Sequence, residues 1–203
     1  MPQLEFWYEF ASPYSYLAAM RIEKAAARRG VDVAWKPFLL GPIFQAQGWP
    51  DSPFRLYPKK GDYMIRDLER LCGARGLPFK QSPAFPQNGL QAARLATIGV
   101  AEGWGPAFSR ALFLREFGEA ADITDRGVLG SALAAAGQDA EAVMARAQDQ
   151  AVKDALRART AAAQALGIFG APSFLTQDRE LFWGDDRLDQ ALDWAARGAG
   201  PTG

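Results

Sequence analysis

The chain has 203 residues, 49% hydrophobic and 23% charged, with 23 basic against 23 acidic side chains. It is long enough to bury a core, and with no cationic surplus it is not expected to bind nucleic acid or an anionic membrane. It holds no histidine and one cysteine, which excludes an intrachain disulfide, Ser-His-Asp triads, Cys-His dyads and His-zinc centres together.

Chemistry must therefore come from hydroxyls, carboxylates, Lys/Arg, backbone amides or a borrowed cofactor. No apolar run reaches the roughly 18 to 20 residues of a membrane span, and Leu4 to Phe10 is too short for a signal-peptide core. A cytoplasmic protein is expected.

Leu4 to Phe10 is aromatic and partly alternating, which predicts an opening strand. Ser12-Pro13 then starts a helix, because a proline at the first helical position gives up only an amide that would have been unpaired, and the serine hydroxyl can cap. The alanine-rich stretch carries that helix to Arg29, and Gly30 stops it. Val31 to Trp35 predicts a second strand, so the chain opens as β-α-β. From Leu40 to Lys60, Pro42, Pro50, Pro53 and Pro58 are expected to break regular structure.

Asp62 to Leu166 shows helical periods and no strand. Met64, Leu68, Leu71 and Cys72 share one face, which places Cys72 in the core. Another helix starts after Gly105. Asp125 and Asp149 are candidate N-caps, and Gly137 and Gly167 candidate stops. Ser173 to Thr176 and Glu180 to Trp183 predict two short strands, followed by a helix from about Asp186 to Arg197. The whole reads as one discontinuous α/β domain, residues 1–40 and 165–203, split by a linker and all-helical insertion at 41–164.

Two segments stand where such a fold keeps its chemistry. Ser12-Pro13-Tyr14-Ser15 lies between strand and helix, where thioredoxin-like proteins carry C-x-x-C, but here both sulfurs are oxygens. From the residues alone, Ser12 is either a helix cap or a hydroxyl donor. Ala171-Pro172 precedes a strand, where thioredoxin-like folds hold a cis-proline. The backbone of Ala171 would there pair with an extended peptide.

Five segments then carry a resemblance: Phe10-Ala11-Ser12-Pro13-Tyr14-Ser15-Tyr16; Lys60-Gly61-Asp62-Tyr63-Met64 with Asp67-Leu68; Phe85-Pro86 with Asn88; Ile168 to Pro172; and Phe182-Trp183-Gly184-Asp185-Asp186-Arg187. In this order they resemble the 2-hydroxychromene-2-carboxylate isomerases, relatives of kappa-class glutathione transferases in the DsbA-like thioredoxin superfamily. The resemblance implies a thioredoxin-like domain interrupted by a helical insertion, and glutathione as the source of the missing sulfur. Its thiol would lie beside Ser12 and its cysteinyl backbone against Ala171 and Pro172. Its γ-glutamyl end would meet Trp183, Gly184, Asp185 and Asp186, although an aspartate before a helix also serves as a cap.

With no histidine to act as base, Ser12 is cast as a donor to a thiolate rather than as a nucleophile. The implied reaction is reversible thiolate addition to a conjugated aromatic acid, rotation about the new single bond, and elimination that regenerates glutathione. Arg55, Lys59 and Lys60 are candidates to clamp the substrate carboxylate, and Asn88 to line the pocket; a solvated basic cluster and a turn cap are the competing readings. Gln45 and Trp49 depart from common family residues. Trp7, Trp49 and Trp183 are candidates to border an aromatic ligand. A kappa-like transferase and a non-catalytic peptide-binding module are the alternatives, and a homodimer is expected from the resemblance.

Overall fold

A computed structural model describes residues 1–49 and 56–198. Its centre is one four-stranded sheet in the order β2-β1-β3-β4, formed by β1 (Gln3–Tyr8), β2 (Asp32–Pro37), β3 (Ser173–Thr176) and β4 (Leu181–Trp183). β1 runs parallel to β2, with Phe6 opposite Trp35, and antiparallel to β3, with Phe6 opposite Phe174. Because side chains alternate across a strand, Leu4, Phe6 and Tyr8 enter the larger core while Trp7 enters a second one with Phe38, Ile43 and Leu175. Phe6 stacks on Phe174 at 5.6 Å and meets the edge of Trp35 at 4.9 Å, so the two ends of the chain are locked together by aromatic contact.

Between β1 and β2 lie α1 (Pro13–Ala19) and α2 (Ile22–Ala27), where the sequence predicted one continuous helix. The break falls at Arg21, whose φ of −126° leaves the helical region. Its guanidinium turns instead to Asp185 and Asp189.

The stretch expected to be irregular also departs from expectation, since α3 spans Leu40–Ala46 and α4 spans Pro58–Arg75. Pro42 sits in the first turn of α3 and Pro58 opens α4. The amide a proline lacks is not needed at those positions.

Among the described residues the remaining helices are α5 (Leu90–Glu102), α6 (Gly105–Phe113), α7 (Arg126–Ala135), α8 (Ala140–Arg146) and α9 (Gln150–Ala165), with a π-helical segment at Leu114–Gly118. No strand interrupts them among the described residues. Asp125 caps α7 through Val128 N at 2.9 Å, whereas Asp149 occupies the cap position of α9 without a side-chain bond. Asp139, which the sequence reading passed over, caps α8 through Ala142 N. After β4 the chain makes a 3₁₀ turn at Asp185–Arg187 before α10 (Leu188–Arg197). Cys72 is buried, as expected, and burial pushes its thiol pKa up. No described helix is long and apolar enough to cross a membrane.

Candidate functional site

Three segments meet beyond the C-terminal end of β1: the Ser12 turn, the bend at Ala171-Pro172 that leads into β3, and the Gly184–Arg187 turn after β4. Ser12 is the N-cap of α1, in extended backbone conformation, and accepts a hydrogen bond from Ser15 N at 3.2 Å. Its hydroxyl donates to the Ala171 carbonyl at 2.8 Å, 159 residues away in sequence. Both readings of Ser12 thus hold a place in the geometry, with one qualification. A hydroxyl has one proton, and in this structure it is committed to Ala171.

The Ala171-Pro172 bond is cis, and Gly184 N donates to the Pro172 carbonyl at 3.0 Å. Gly184 has φ 105°, a backbone conformation that L side chains rarely adopt, so the turn calls for glycine. Trp183 is 53% exposed and packs at 5.1 Å against Phe169, itself 45% exposed. Gly170 permits the approach, since a Cβ there would lie 2.3 Å from the Trp183 indole nitrogen. An open aromatic pair therefore flanks the cis-proline.

The two aspartates of the last turn have different fates. Asp186 has a side chain 77% exposed and, among the described residues, only Arg187, at 3.9 Å, as ion-pair partner. Asp185 is 3% exposed and is held by Arg21 and Arg75. Of the two aspartates expected beside the γ-glutamyl end of a ligand, Asp185 thus has its carboxylate occupied by two guanidinium groups, and Asp186 presents the more open one.

Tyr14, two residues beyond Ser12, donates to Asp67 Oδ2 at 2.9 Å. Burial first, then Asp67, Tyr63 and Asp186, push its phenol well above the usual range, which brings Asp67 and Asp186 into one electrostatic neighbourhood.

The expected substrate clamp is less closely joined. Arg55 lies outside the described residues. Lys59 and Lys60 are exposed in the first turn of α4, and no hydrogen bond or ion pair joins either to the Ser12 group among the described residues. Asn88 is exposed, and its Oδ1 accepts from Leu90 N at 3.0 Å, the turn-capping role. It stays close to the site through Gly89, whose added Cβ would touch Phe10 Cβ at 3.3 Å and Ala11 N at 3.8 Å. Trp7 is core, and Trp49 is partly exposed against Phe44.

Two carboxyls near the site carry no clear signal in the sequence. Glu9, three residues before Ser12, is pushed up to about 7 by burial, against a hydrogen bond from the Leu40 backbone that favours the charge. Glu116, in the π-helical segment that packs on α1, is 1% exposed with both oxygens unpartnered among the described residues. Burial, helped by repulsion from Glu9, raises its pKa well above the carboxylate range. It borders a narrow cavity with Pro13, Leu68, Phe79 and Phe117 that has room for about one water. A glutamate at the end of an apolar strand was the one available signal, and it singles out Glu9 only. No group of side chains suited to hold a metal is found among the described residues.

The class is set by the fold and this site together: residues 3–194 match the DSBA-like thioredoxin domain, and the chain belongs to that family. Within it, the chain is 30% identical over 191 residues to a 2-hydroxychromene-2-carboxylate isomerase of Pseudomonas putida, covering 91% of this chain and 90% of the relative. It is also 26% identical over 199 residues to glutathione S-transferase kappa 1 of Rattus norvegicus, covering 92% and 87%. A solved structure of 2-hydroxychromene-2-carboxylate isomerase aligns with a TM-score of 0.84 at 26% identity, over 96% of this chain and 95% of that one. The isomerase-family resemblance and the interrupted thioredoxin-like α/β fold read from the sequence are both borne out.

Proposed function

We propose that the chain is a glutathione-dependent isomerase of 2-hydroxychromene-2-carboxylate or a similar aromatic acid, in aromatic degradation. The observation that carries the reading is the Ser12 to Ala171 hydrogen bond across a cis-proline. It sets a hydroxyl, a helix N-terminus and a peptide-pairing carbonyl within one contact, in a chain with no histidine and no C-x-x-C.

The residues fit the tripeptide. Ala171 offers its carbonyl to an extended backbone, and once that carbonyl accepts from the cysteinyl amide, the Ser12 proton is free for the sulfur. Ser12 and the α1 amides then favour the charged form of a thiol whose ordinary pKa is about 8.5. Asp186 offers an exposed carboxylate to the γ-glutamyl ammonium. Trp183 and Phe169 present aromatic surface beside Pro172 for a planar substrate. When bound, glutathione supplies a thiolate that adds reversibly to a conjugated carbon and leaves unchanged. Arg55, Lys59 and Lys60 remain the cations proposed for the substrate carboxylate, with Asn88 at the pocket wall.

Similarity to the rat kappa transferase favours the second reading, in which the tripeptide stays on the product. Thiolate absorbance in the ultraviolet, titrated with glutathione bound, tests the shared core of both. A bound thiol pKa below the free value supports the site, and an unshifted thiol refutes it. Product mass separates the two, since isomerisation leaves the substrate mass unchanged and transfer adds the tripeptide.

A further inference from the structure

The Gly184–Arg187 turn carries a carboxylate that the proposed reaction does not use. Asp185 Oδ1 accepts from Arg21 Nε at 3.1 Å, and Oδ2 accepts from Arg75 Nη2 at 2.6 Å. Arg21 Nη2 also donates to the Asp185 backbone carbonyl at 2.6 Å, and Arg21 Nη1 to Asp189 Oδ2 at 2.7 Å. Arg29 extends the network by pairing with Asp189 and Asp193. Three guanidiniums thus face three carboxylates, with no net charge.

The origins of the partners matter. Arg21 stands at the break between α1 and α2, and Arg75 in the last turn of α4, so the turn is gripped from the α1–α2 junction and from the helical segment inserted between β2 and β3. Arg75 Nη1 is buried with no hydrogen-bond partner among the described residues, a cost accepted at this position. Buried ion pairs are poor sources of net stability because desolvation offsets the attraction, but they hold geometry, since few arrangements satisfy both partners.

Asp186, by contrast, has almost nothing to hold its own side chain. Its place is set by the backbone on either side. On one side Gly184 N is tied to Pro172 O, and Arg187 N closes the turn on Gly184 O. On the other stands Asp185.

We propose that Asp185 is a positioning residue: gripped by Arg21 and Arg75, it fixes the Gly184–Arg187 turn against Pro172 so that Asp186 is held in a prearranged place for the γ-glutamyl half of the ligand. The affinity part of this inference rests on the glutathione reading above; the fixing of the turn does not.

The test uses the full chain and the substitutions Asp185→Asn, Arg75→Ala and Arg75→Lys. Three quantities are measured: hydrogen exchange at the Gly184 and Arg187 amides without ligand, glutathione Kd by calorimetry, and the bound thiol pKa. In Asp185→Asn, exchange at those two amides is expected to quicken about tenfold while Phe6 and Phe174 in the sheet keep their protection. Kd is expected to rise about tenfold, with the thiol pKa unchanged, because Ser12 is untouched. Arg75→Ala should follow Asp185→Asn, and Arg75→Lys should recover most of the loss. Should Asp185→Asn fail to fold, the two Arg75 variants, which keep the Arg21 grip, decide the matter. Unchanged exchange in the variants overturns the proposal, as does quickened exchange with unchanged Kd. A wild-type chain that binds no glutathione refutes the functional reading instead, and the exchange comparison still decides whether Asp185 holds the turn.

Discussion

Replacing Ser12 by alanine separates what the hydroxyl does for folding from what it does for chemistry. The hydroxyl accepts from Ser15 N as the cap of α1 and donates to Ala171 O. Loss of a cap costs about 1 kcal/mol, and loss of one neutral hydrogen bond a further ~0.5–1.5 kcal/mol. The variant should therefore be destabilised by about 2 kcal/mol in a denaturant titration and should still fold.

The catalytic loss is expected to be larger. Removing a single preorganised donor to a developing or resident anion typically costs ~2.7–4 kcal/mol, or about 10²–10³ in turnover. Two features of this site bear on that figure. The α1 N-terminus shares the task, which pulls the loss toward the lower end. In the other direction, on the proposed reading the tripeptide amide replaces the Ser12 hydroxyl on the Ala171 carbonyl and frees its proton for sulfur. We therefore expect kcat to fall about 10²-fold at saturating glutathione, while glutathione Kd changes less than about threefold. The assay is steady-state isomerisation of the chromene carboxylate, with Kd measured by calorimetry on the same samples. Ser12→Thr, which keeps the hydroxyl, should retain most of the activity. Turnover of Ser12→Ala within threefold of wild type would refute the donor role and leave Ser12 as a cap alone.

Asp186→Ala should weaken glutathione by about fivefold with kcat at saturation unchanged, the modest size reflecting an exposed carboxylate, and calorimetry beside saturating kinetics checks it. Arg55→Ala should raise KM for an anionic aromatic acid, by up to about tenfold for a partly screened charge-assisted pair, and leave a neutral electrophile untouched; equal effects on both would mean that Arg55 reads no carboxylate. Glu116 has a folded pKa raised by burial, so between the ordinary carboxylate pKa and that raised value the native state holds the proton longer than the unfolded chain, and stability falls as pH rises through this window. Glu9, raised to about 7, adds to the fall between about pH 4.5 and 7. Glu116→Gln should flatten the profile measured by denaturant midpoints from pH 5 to 9, and an unaltered slope would show that Glu116 ionises normally.

What could be read from the sequence was what depends on neighbours. Ser12-Pro13 announces a helix start because capping and proline chemistry act within four residues, and Asp125 is readable for the same reason. The resemblance located Ala171-Pro172 and the last turn, although an Ala-Pro pair carries little information by itself. The helix α3 was hidden because Pro42 reads as a breaker unless it is known to lie in a first turn. The burial of Asp185 was hidden for a different reason. Its partners Arg21 and Arg75 are 164 and 110 residues away, and nothing local distinguishes it from its neighbour Asp186. Arg21 at the helix break pairs with the buried Asp185, a contact invisible to helical periodicity, which carries the alanine-rich stretch straight through. Glu116 escaped because its burial comes from tertiary packing of the π-helical segment on α1.

The central claim, that this chain uses glutathione catalytically to isomerise an aromatic acid, is tested most directly by conversion of 2-hydroxychromene-2-carboxylate at substoichiometric glutathione, with product mass recorded. Catalytic use of glutathione gives many turnovers per glutathione, product of unchanged mass, and no conversion above background when glutathione is omitted. Conversion that stops at one product per glutathione, or that proceeds equally without it, would contradict the claim.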